Sequence, residues 1–441
     1  MKSERFDMVI KGGMVIDPAI GFGNIADLFI KDQQITRIAR VDETSKKDFA
    51  SIPKDCIIDA TGKFVIPGLI DMHVHLREPG REDEETILTG CEAAAAGGFT
   101  SICCMPNTTP TIDNQETVEF VQSRAEQANA HVYVIGAITK SIKGEELSEI
   151  GDLVKAGAVA ISDDGNYLQN PEVMRRALEY ARMFNIPVIS HAEDQFLCSG
   201  GIMNESYQST RLGIKGRPAV GEEIAILRDI KLCGFTDGRL HIAHVSTAGG
   251  VKVIREAKAE GINITAEACP HHFSLTDDEI GKEFNTNLRV NPPIRTRRDV
   301  EAIIEGLVDG TIDCIASDHA PHAEEEKDVE FDQAPPGMIG LETSLGLVKT
   351  FLIDKGYLSW SDAVGKMTYN PAGILGLPGG SLKIASPADI TIIDPEKKWT
   401  VKKENFRSKS RNSPFIGWKL SGKVDYTILG GRVVFCSSGM R

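Results

Sequence analysis

The chain has 441 residues, of which 41% are hydrophobic and 25% charged, a composition that suits one large globular domain with a smaller one beside it. The formal net charge of −14 argues against nucleic acid and anionic membranes as partners, and an anionic substrate would need positive charge from a metal ion or an arginine. The sequence shows no signal-peptide segment, no apolar run of transmembrane length and no Cys-x-x-Cys pair, so we expect a cytoplasmic protein whose nine cysteines are reduced.

The first and last predicted elements share one pattern. Both "DMVIKGGMVID" (7–17) and "DYTILGGRVVF" (425–435) read Asp-x-x-Ile-x-Gly-Gly-x-Val, which predicts a β-hairpin around each Gly-Gly pair. The segments 24–40 and 388–394 also have strand-like patterns. We therefore predict that the two ends of the chain, 1–65 and 376–441, meet in one small β domain.

Strand and helix patterns alternate between the two ends. One helix is predicted over 171–184, with Asn170 as N-cap and Pro171 in the first turn, and another over 297–307. Eight such units predict a closed parallel (β/α)₈ barrel over 66–375. An open doubly wound sheet is the alternative, but its usual Gly-rich phosphate loop is absent. The eight predicted strands are 69–76, 100–106, 131–138, 158–164, 187–193, 239–246, 262–270 and 313–320.

The predicted carboxyl ends of these strands carry most of the chemistry. In "GLIDMHVHLREPG" (68–80), His73, His75 and Arg77 are spaced by two residues, which would put them on one face of a strand. Active sites of such barrels lie at these ends, which hold six of the ten histidines, so we predict a metal centre. The other polar residues there are Asn107, Asp163, Asp164, His191, His244, Asp318, His319 and His322.

Four histidines and two aspartates exceed the needs of one catalytic zinc ion, so we expect two metal ions. A carboxylate and a hydroxide can both bridge two metals about 3.5–4 Å apart, and the pair then generates a nucleophile from water at neutral pH. Other roles are predicted for the remaining histidines. His271 and His272 would support the site or the fold, His131 and His241 would lie at the far end of the barrel, and His319 would point away from the metals.

Nine motifs in order make the chain resemble the amidohydrolase superfamily and, within it, the bacterial type I dihydroorotases. They are "DMHVHLREPG", "AAAAGGFTSICCMPNT", "SDDG", "HAED", "HVSTAGG", "EACPHHF", "NPPIRT", "SDHAPH" and "GLETSLGLV". The resemblance covers essentially the whole chain. It implies a TIM-type barrel with a β-sandwich built from both termini. It also implies the reversible cyclisation of N-carbamoyl-L-aspartate to L-dihydroorotate and water in de novo pyrimidine synthesis.

The resemblance also implies roles for individual residues. His73 and His75 would bind one zinc ion, His191 and His244 the other, and Asp164 would bridge them. Asp318 would contact the first zinc and act as general acid/base. The residues implied to hold the substrate are His75, Arg77, Asn107, Asn291, His322 and the backbone at Pro336 and Gly337. A guanidinium also suits a carboxylate on physical grounds, because it can bind both oxygens at once.

Two features depart from common patterns. Many members of the superfamily bridge their metals with a carboxylated lysine, but "AVAISDDG" has none. The resemblance to the type I class implies that Asp164 supplies the bridging carboxylate, in preference to its neighbour Asp163. Relatives usually have Phe where this chain has Pro336, and proline has no N–H to donate to the ring.

Three alternatives accompany this interpretation. Allantoinase and dihydropyrimidinase share the His-x-His pair, although they typically use the bridging lysine. A non-catalytic scaffold for aspartate transcarbamoylase is a further alternative, weakened here because every ligand position is filled. An active enzyme could also form a homodimer or bind aspartate transcarbamoylase.

Overall fold

The computed structural model describes residues 6–44, 49, 52, 53 and 56–439. The strands are β1 (Met8–Asp17), β2 (Phe22–Lys31), β3 (Gln34–Arg40), β4 (Ile57–Asp59), β5 (Phe64–Pro67), β6 (Leu69–Val74), β7 (Phe99–Cys104), β8 (His131–Ala137), β9 (Ala158–Ser162), β10 (Val188–Ser190), β11 (Met203–Asn204), β12 (Gly216–Arg217), β13 (Leu240–Ile242), β14 (Ile264–Ala268), β15 (Cys314–Ile315), β16 (Ile390–Thr400), β17 (Lys419–Leu429) and β18 (Arg432–Cys436).

The α-helices are Ile87–Gly97, Gln115–Ala125, Ile150–Ala156, Pro171–Met183, Tyr207–Leu212, Ala219–Thr236, Ala248–Ala259, Pro270–Ser274, Ile280–Glu283, Arg297–Asp309, Glu324–Lys327, Ser344–Val348, Trp360–Met367 and Tyr369–Leu375. The predicted helix 171–184 is confirmed, and its N-cap Asn170 accepts a hydrogen bond from the N–H of Glu172. The predicted helix 297–307 runs two residues further, to Asp309. Within the described part of the chain, no helix is long and apolar enough to cross a membrane.

Eight parallel strands form the barrel in the order β6-β7-β8-β9-β10-β13-β14-β15. The barrel closes through a parallel bridge between Val74 and His319, where the N–H of His75 donates to the carbonyl of His319 at 2.9 Å. The first and last strands of an open doubly wound sheet would lie apart, so this closure excludes the alternative. The predicted (β/α)₈ barrel is confirmed.

Each of the eight predicted strands overlaps an observed strand, and all eight observed strands end earlier than predicted. The last one covers only Cys314–Ile315 of the predicted 313–320. The prediction that Arg77 continues the strand face of His73 and His75 is wrong, because β6 ends at Val74 and Arg77 has φ of +62°. Residues at these ends leave the hydrogen-bonded ladder and adopt the conformations that the site requires.

The terminal strands form one mixed sheet in the order β18-β17-β16-β5-β1-β2-β3, with β4 paired to β1. Its core joins both ends of the chain, since Ile10, Leu28 and Val65 pack in one buried cluster with Ile392 and Ile428. Burying such a side chain contributes about 1.5–3 kcal/mol. The β-sandwich built from both termini is therefore confirmed.

The two Gly-Gly pairs have different structures. Gly430 and Gly431 connect β17 to β18, so the C-terminal hairpin is confirmed. The N-terminal hairpin is wrong, because β1 continues through Gly12 and Gly13, where a register shift opposite β2 marks a bulge. Gly12 has φ of +69°, and a Cβ on Gly13 would lie 2.4 Å from Cγ2 of Val65. The pair thus lets β1 bend and pack closely against β5.

Candidate metal centre and active site

Four histidines surround one buried carboxylate at the carboxyl end of the barrel. Oδ2 of Asp164 lies 3.4 Å from Nε2 of both His73 and His75. Its other oxygen, Oδ1, lies 3.5 Å from Nδ1 of His191 and 3.4 Å from Nε2 of His244. All five side chains are buried. Each oxygen of Asp164 therefore faces one pair of histidines.

Asp318 lies on the His73–His75 side of this cluster. Its Oδ1 is 3.2 Å from Nε2 of His75 and 3.6 Å from Nε2 of His73. Burial acts to raise the pKa of Asp318, but a hydrogen bond from His75 and the nearby imidazoles outweigh burial and hold the pKa well below its usual value. Asp318 has φ of +48° and His244 has φ of +30°, so both are held in a strained conformation at the strand ends.

Two observations show that this donor set fits metal ions. Nε2 of His73 and Oδ1 of Asp164 are buried and have no hydrogen-bond partner among the described residues, although unpaired buried polar atoms are costly. Burial lowers the pKa of His191, but Asp164 and Glu193 outweigh it and raise the pKa to about 9. The carboxylates thus favour positive charge here. Imidazole nitrogens and carboxylate oxygens suit Zn²⁺ and neighbouring divalent ions.

The other nitrogen of three of these histidines is held by a neighbouring side chain. Nδ1 of His73 lies 2.6 Å from Oε1 of Glu267, and Nδ1 of His75 lies 2.8 Å from Oδ1 of Asn107. Nε2 of His191 lies 3.1 Å from Nδ2 of Asn291. Contacts of this kind fix the ring orientation and, for His73 and His75, leave Nε2 with a free lone pair. The sequence interpretation missed Glu267, although it lies in the motif "EACPHHF".

The two aspartates of "SDDG" point in different directions. Asp163 accepts a hydrogen bond from the N–H of Thr139 at 2.9 Å and another from the Thr139 hydroxyl. Burial raises the pKa of Asp163 to about 6. Asp164, by contrast, contacts the four histidines. The geometry favours Asp164 over Asp163 as a metal ligand.

Arg77 and His322 lie together on the two oxygens of one buried carboxylate, Glu84. Nε of Arg77 lies 3.0 Å from Oε2 of Glu84, and Nδ1 of His322 lies 2.8 Å from Oε1. Burial lowers the pKa of Arg77, while the charges of Glu84 and Asp318 act to raise it. The sequence interpretation missed Glu84, because nothing in "REDEET" distinguishes one carboxylate from the next.

The segment at Pro336 and Gly337 lies against His322. Nε2 of His322 donates to the carbonyl of Pro336 at 2.9 Å. The N–H of Gly337 donates to the carbonyl of Arg289 at 2.8 Å. A ring contact made through this N–H would have to replace that hydrogen bond.

The remaining histidines lie outside the four-histidine cluster. His271 and His272 are buried at the end of β14, where burial lowers the pKa of His271 to about 4. His319 contacts Glu85 and points away from the metal ligands. His131 is half exposed and contacts Asp389, at the far end as expected. The expectation for His241 is wrong, because Nε2 of His241 lies 3.3 Å from Oε2 of Glu267, whose other oxygen contacts His73.

The chain matches two protein-family models and is similar to known proteins over nearly its full length. The family described as "Dihydro-orotase-like" matches residues 62–249, and the one described as "Amidohydrolase family" matches residues 231–435. The chain is 54% identical over 427 residues to the dihydroorotase of Pelotomaculum thermopropionicum, covering 97% of this chain and 98% of that protein. It is 53% identical over 428 residues to the dihydroorotase of Acetivibrio thermocellus, with coverage of 97% and 98%.

Solved structures with the same fold include cyclic-amide hydrolases. The L-hydantoinase (dihydropyrimidinase) from Arthrobacter aurescens has a TM-score of 0.86 and 27% identity, with coverage of 97% of this chain and 96% of that one. The dihydropyrimidinase from Brevibacillus agri has a TM-score of 0.84 at 23% identity, with coverage of 98% and 96%. The second likeness shows the fold alone.

A closed parallel barrel with histidines and aspartates clustered at its carboxyl end, joined to a sandwich of both termini, defines an amidohydrolase. Within that class the dihydropyrimidinases share the fold at 27% identity or less, whereas the full-length relatives near 50% identity are dihydroorotases. The chain belongs to the dihydroorotase family. It is a metal-dependent cyclic amide hydrolase.

Proposed function

We propose that this centre catalyses the reversible cyclisation of N-carbamoyl-L-aspartate to L-dihydroorotate and water, a step of pyrimidine synthesis, with two zinc ions in each chain. The observation that supports the two-metal proposal most strongly is the position of Asp164. Its two oxygens face different histidine pairs, at 3.4 Å from His73 and His75 and at 3.4–3.5 Å from His244 and His191. A bridging carboxylate requires this arrangement.

In this proposal, His73, His75 and Asp318 would hold one ion, His191 and His244 would hold the other, and Asp164 would serve both. The ions would supply a nucleophile from water at neutral pH and polarise the reacting carbonyl. Glu267 and Asn107 keep the rings of His73 and His75 in the orientation that leaves Nε2 free.

Asp318 is proposed as the catalytic acid/base. In ring opening the carboxylate would take a proton from the attacking water and deliver it to the ring nitrogen as the C–O bond forms and the C–N bond breaks. In ring closure it would take a proton from the ureido nitrogen as the C–N bond forms and deliver it to the oxygen that leaves the substrate carboxylate, which departs as water with the one further proton that closure consumes. Its low pKa keeps it ionised, ready to accept a proton at neutral pH.

The substrate carboxylate that does not react is proposed to bind Arg77, His322 and Asn107, and the ring to contact Asn291 and the backbone at Pro336 and Gly337. Glu84 supports this assignment because it holds Arg77 and His322 side by side. Two parallel N–H groups of a guanidinium match a carboxylate. Because His322 donates to Pro336 before substrate binds, we expect substrate to compete for that proton.

We also propose boundaries for the two structural units of the chain and partners for its assembly. Residues 66–375 would form the catalytic barrel, and 1–65 with 376–441 would form the sandwich of a cytoplasmic enzyme. A scaffold without activity is disfavoured because all six ligand positions are filled and converge. A homodimer, or a complex with aspartate transcarbamoylase, would be detected by light scattering of the protein alone and mixed with that enzyme.

The test uses the adjacent aspartates as a matched pair. Wild-type protein, Asp164→Asn and Asp163→Asn are assayed with both carbamoyl-aspartate and dihydroorotate, and the bound zinc is counted in each preparation. We expect two zinc ions and activity in the wild type and in Asp163→Asn, but loss of zinc and of turnover in Asp164→Asn. A chelator should abolish wild-type turnover and zinc should restore it. Full activity in verified metal-free protein would refute the proposal.

A further inference from the structure

A segment of the C-terminal unit crosses the carboxyl end of the barrel. Residues 408–412, here called the strap, are buried at Ser408, Ser410 and Asn412. The Ser408 hydroxyl contacts Glu85, and the Ser410 hydroxyl donates to the backbone carbonyl of Glu84 at 2.6 Å. The strap therefore lies directly behind the carboxylate that holds Arg77 and His322.

Asn412 joins two loops of the barrel with its side chain. Its Oδ1 accepts a hydrogen bond from the N–H of His322 at 3.2 Å. Its Nδ2 donates to the carbonyl of Ala320 at 3.1 Å and to the carbonyl of Gly337 at 3.2 Å. Its own carbonyl accepts from the N–H of Ile339 at 3.0 Å. The amide group thus uses both its donor and its acceptor ends.

The loop 335–338 is held through every carbonyl. Nζ of Lys327 donates to the carbonyl of Pro335 at 2.7 Å, and Nε2 of His322 donates to that of Pro336 at 2.9 Å. Nδ2 of Asn412 donates to the carbonyl of Gly337 at 3.2 Å, and the N–H of Ala320 donates to that of Met338 at 2.9 Å. Gly337 has φ of +146°, and a Cβ there would lie 2.8 Å from Nε2 of His322. Such a tight approach needs a fixed distance between the loops.

We propose that Asn412 is a positioning residue for the substrate, which sets the distance between His322 and the Pro336–Gly337 segment from outside the barrel. This inference rests on the proposed function, because those residues are the proposed contacts of the non-reacting carboxylate and the ring. Asn412 itself does not touch the reacting atoms. It lies 90 residues from His322 in the sequence and belongs to the other structural unit.

The test compares Asn412→Ala with Asn370→Ala. Asn370 also donates its Nδ2 to a backbone carbonyl, that of Asp313 at 2.7 Å, but at the opposite end of the barrel. Misplacing binding groups by about 1 Å can cost about 100-fold in rate, so for Asn412→Ala we expect kcat/KM to fall about tenfold to a hundredfold, mainly through KM. Both zinc ions should remain bound. Asn370→Ala should lower the melting temperature without changing KM.

A second variant, Asn412→Asp, keeps the acceptor for His322 but places an oxygen opposite the carbonyls of Ala320 and Gly337. It should also raise KM, and it decides the test where the alanine variant does not fold. Unchanged KM in folded, two-zinc variants of an active wild type would overturn this inference alone. Loss of folding in both variants would overturn it in favour of a purely structural role. An inactive wild type would overturn the proposed function and this inference with it.

Discussion

Replacing Glu267 by glutamine tests how far the metal centre depends on residues that do not touch the metal. Oε1 of Glu267 lies 2.6 Å from Nδ1 of His73 and 3.2 Å from the backbone N–H of His244, and Oε2 lies 3.3 Å from Nε2 of His241. Burial acts to raise the pKa of Glu267, but the imidazoles outweigh burial and hold the pKa at about 2. The native acceptor is therefore ionised at neutral pH.

The glutamine side chain keeps the shape but loses the charge and one acceptor oxygen. A charge-assisted hydrogen bond is about twice as strong as a neutral one, and the amide NH₂ would face a group that needs an acceptor. Loss of such supporting partners typically costs about 10–100-fold in metal affinity. Because three donors converge on Glu267, we expect about a hundredfold at the His73–His75 ion, which corresponds to about 2.7 kcal/mol.

The assay is a competition of the loaded protein against a chelator of known affinity, followed by zinc counting. Glu222→Gln is the matched control, since Glu222 is equally buried but accepts from Ser246 and Thr247 instead of the metal-binding rings. We expect the control to lose stability and keep its zinc affinity. Equal zinc affinities for Glu267→Gln and the wild type would refute the reasoning.

Four further outcomes are expected. Asp318→Asn should lower turnover by about 10²–10⁴-fold while zinc counting still finds two ions, and near-normal turnover would remove Asp318 from proton transfer. Arg77→Met should lower kcat/KM by roughly tenfold to over a hundredfold with zinc retained, since it loses a charge-assisted contact of about 1.5–3 kcal/mol; unchanged kinetics would make Arg77 structural. Ring closure consumes one proton, so equilibrium mixtures from about pH 6 to pH 9 should shift toward carbamoyl-aspartate by about tenfold per pH unit, and a pH-independent ratio would exclude the reaction. Burial raises the pKa of Glu342 from 4.5 to about 7. The stability linked to its proton is therefore present below pH 4.5 and is lost as the pH rises to 7, by about 3 kcal/mol. The free energy of unfolding in urea should not show this dependence on pH in Glu342→Gln, and the same dependence on pH in the variant and the wild type would contradict the prediction.

The barrel could be predicted because alternating strand and helix patterns are local signals. The residues at which the strands end could not be predicted, because their conformations are determined by the geometry of the site. Arg77, His244 and Asp318 all have positive φ, which no pattern of apolar residues indicates. The spacing of His73, His75 and Arg77 predicted one shared strand face, but only His73 lies within β6.

The two Gly-Gly motifs show how one sequence pattern permits two structures. Glycine allows positive φ, and that freedom serves the turn at Gly430 and Gly431 as well as the bulge at Gly12. The choice depends on the neighbours in space. At the N-terminus β1 pairs with β2, β4 and β5 along its length, so the strand continues through the glycines.

The site was predictable to the extent that its chemistry follows from residue type and strand position. Histidine and aspartate at neighbouring strand ends indicate a metal centre, and the structure brings His73, His75, Asp164, His191, His244 and Asp318 together. Metal-binding imidazoles commonly have a partner for their second nitrogen. Such a partner could be expected from the sequence, but its identity could not. Glu267 lies 194 residues from His73, and Asn412 lies 90 residues from His322. Such residues can be identified only from their distance to the site in three dimensions. The substitutions at Glu267 and Asn412 could therefore be chosen only from the structure.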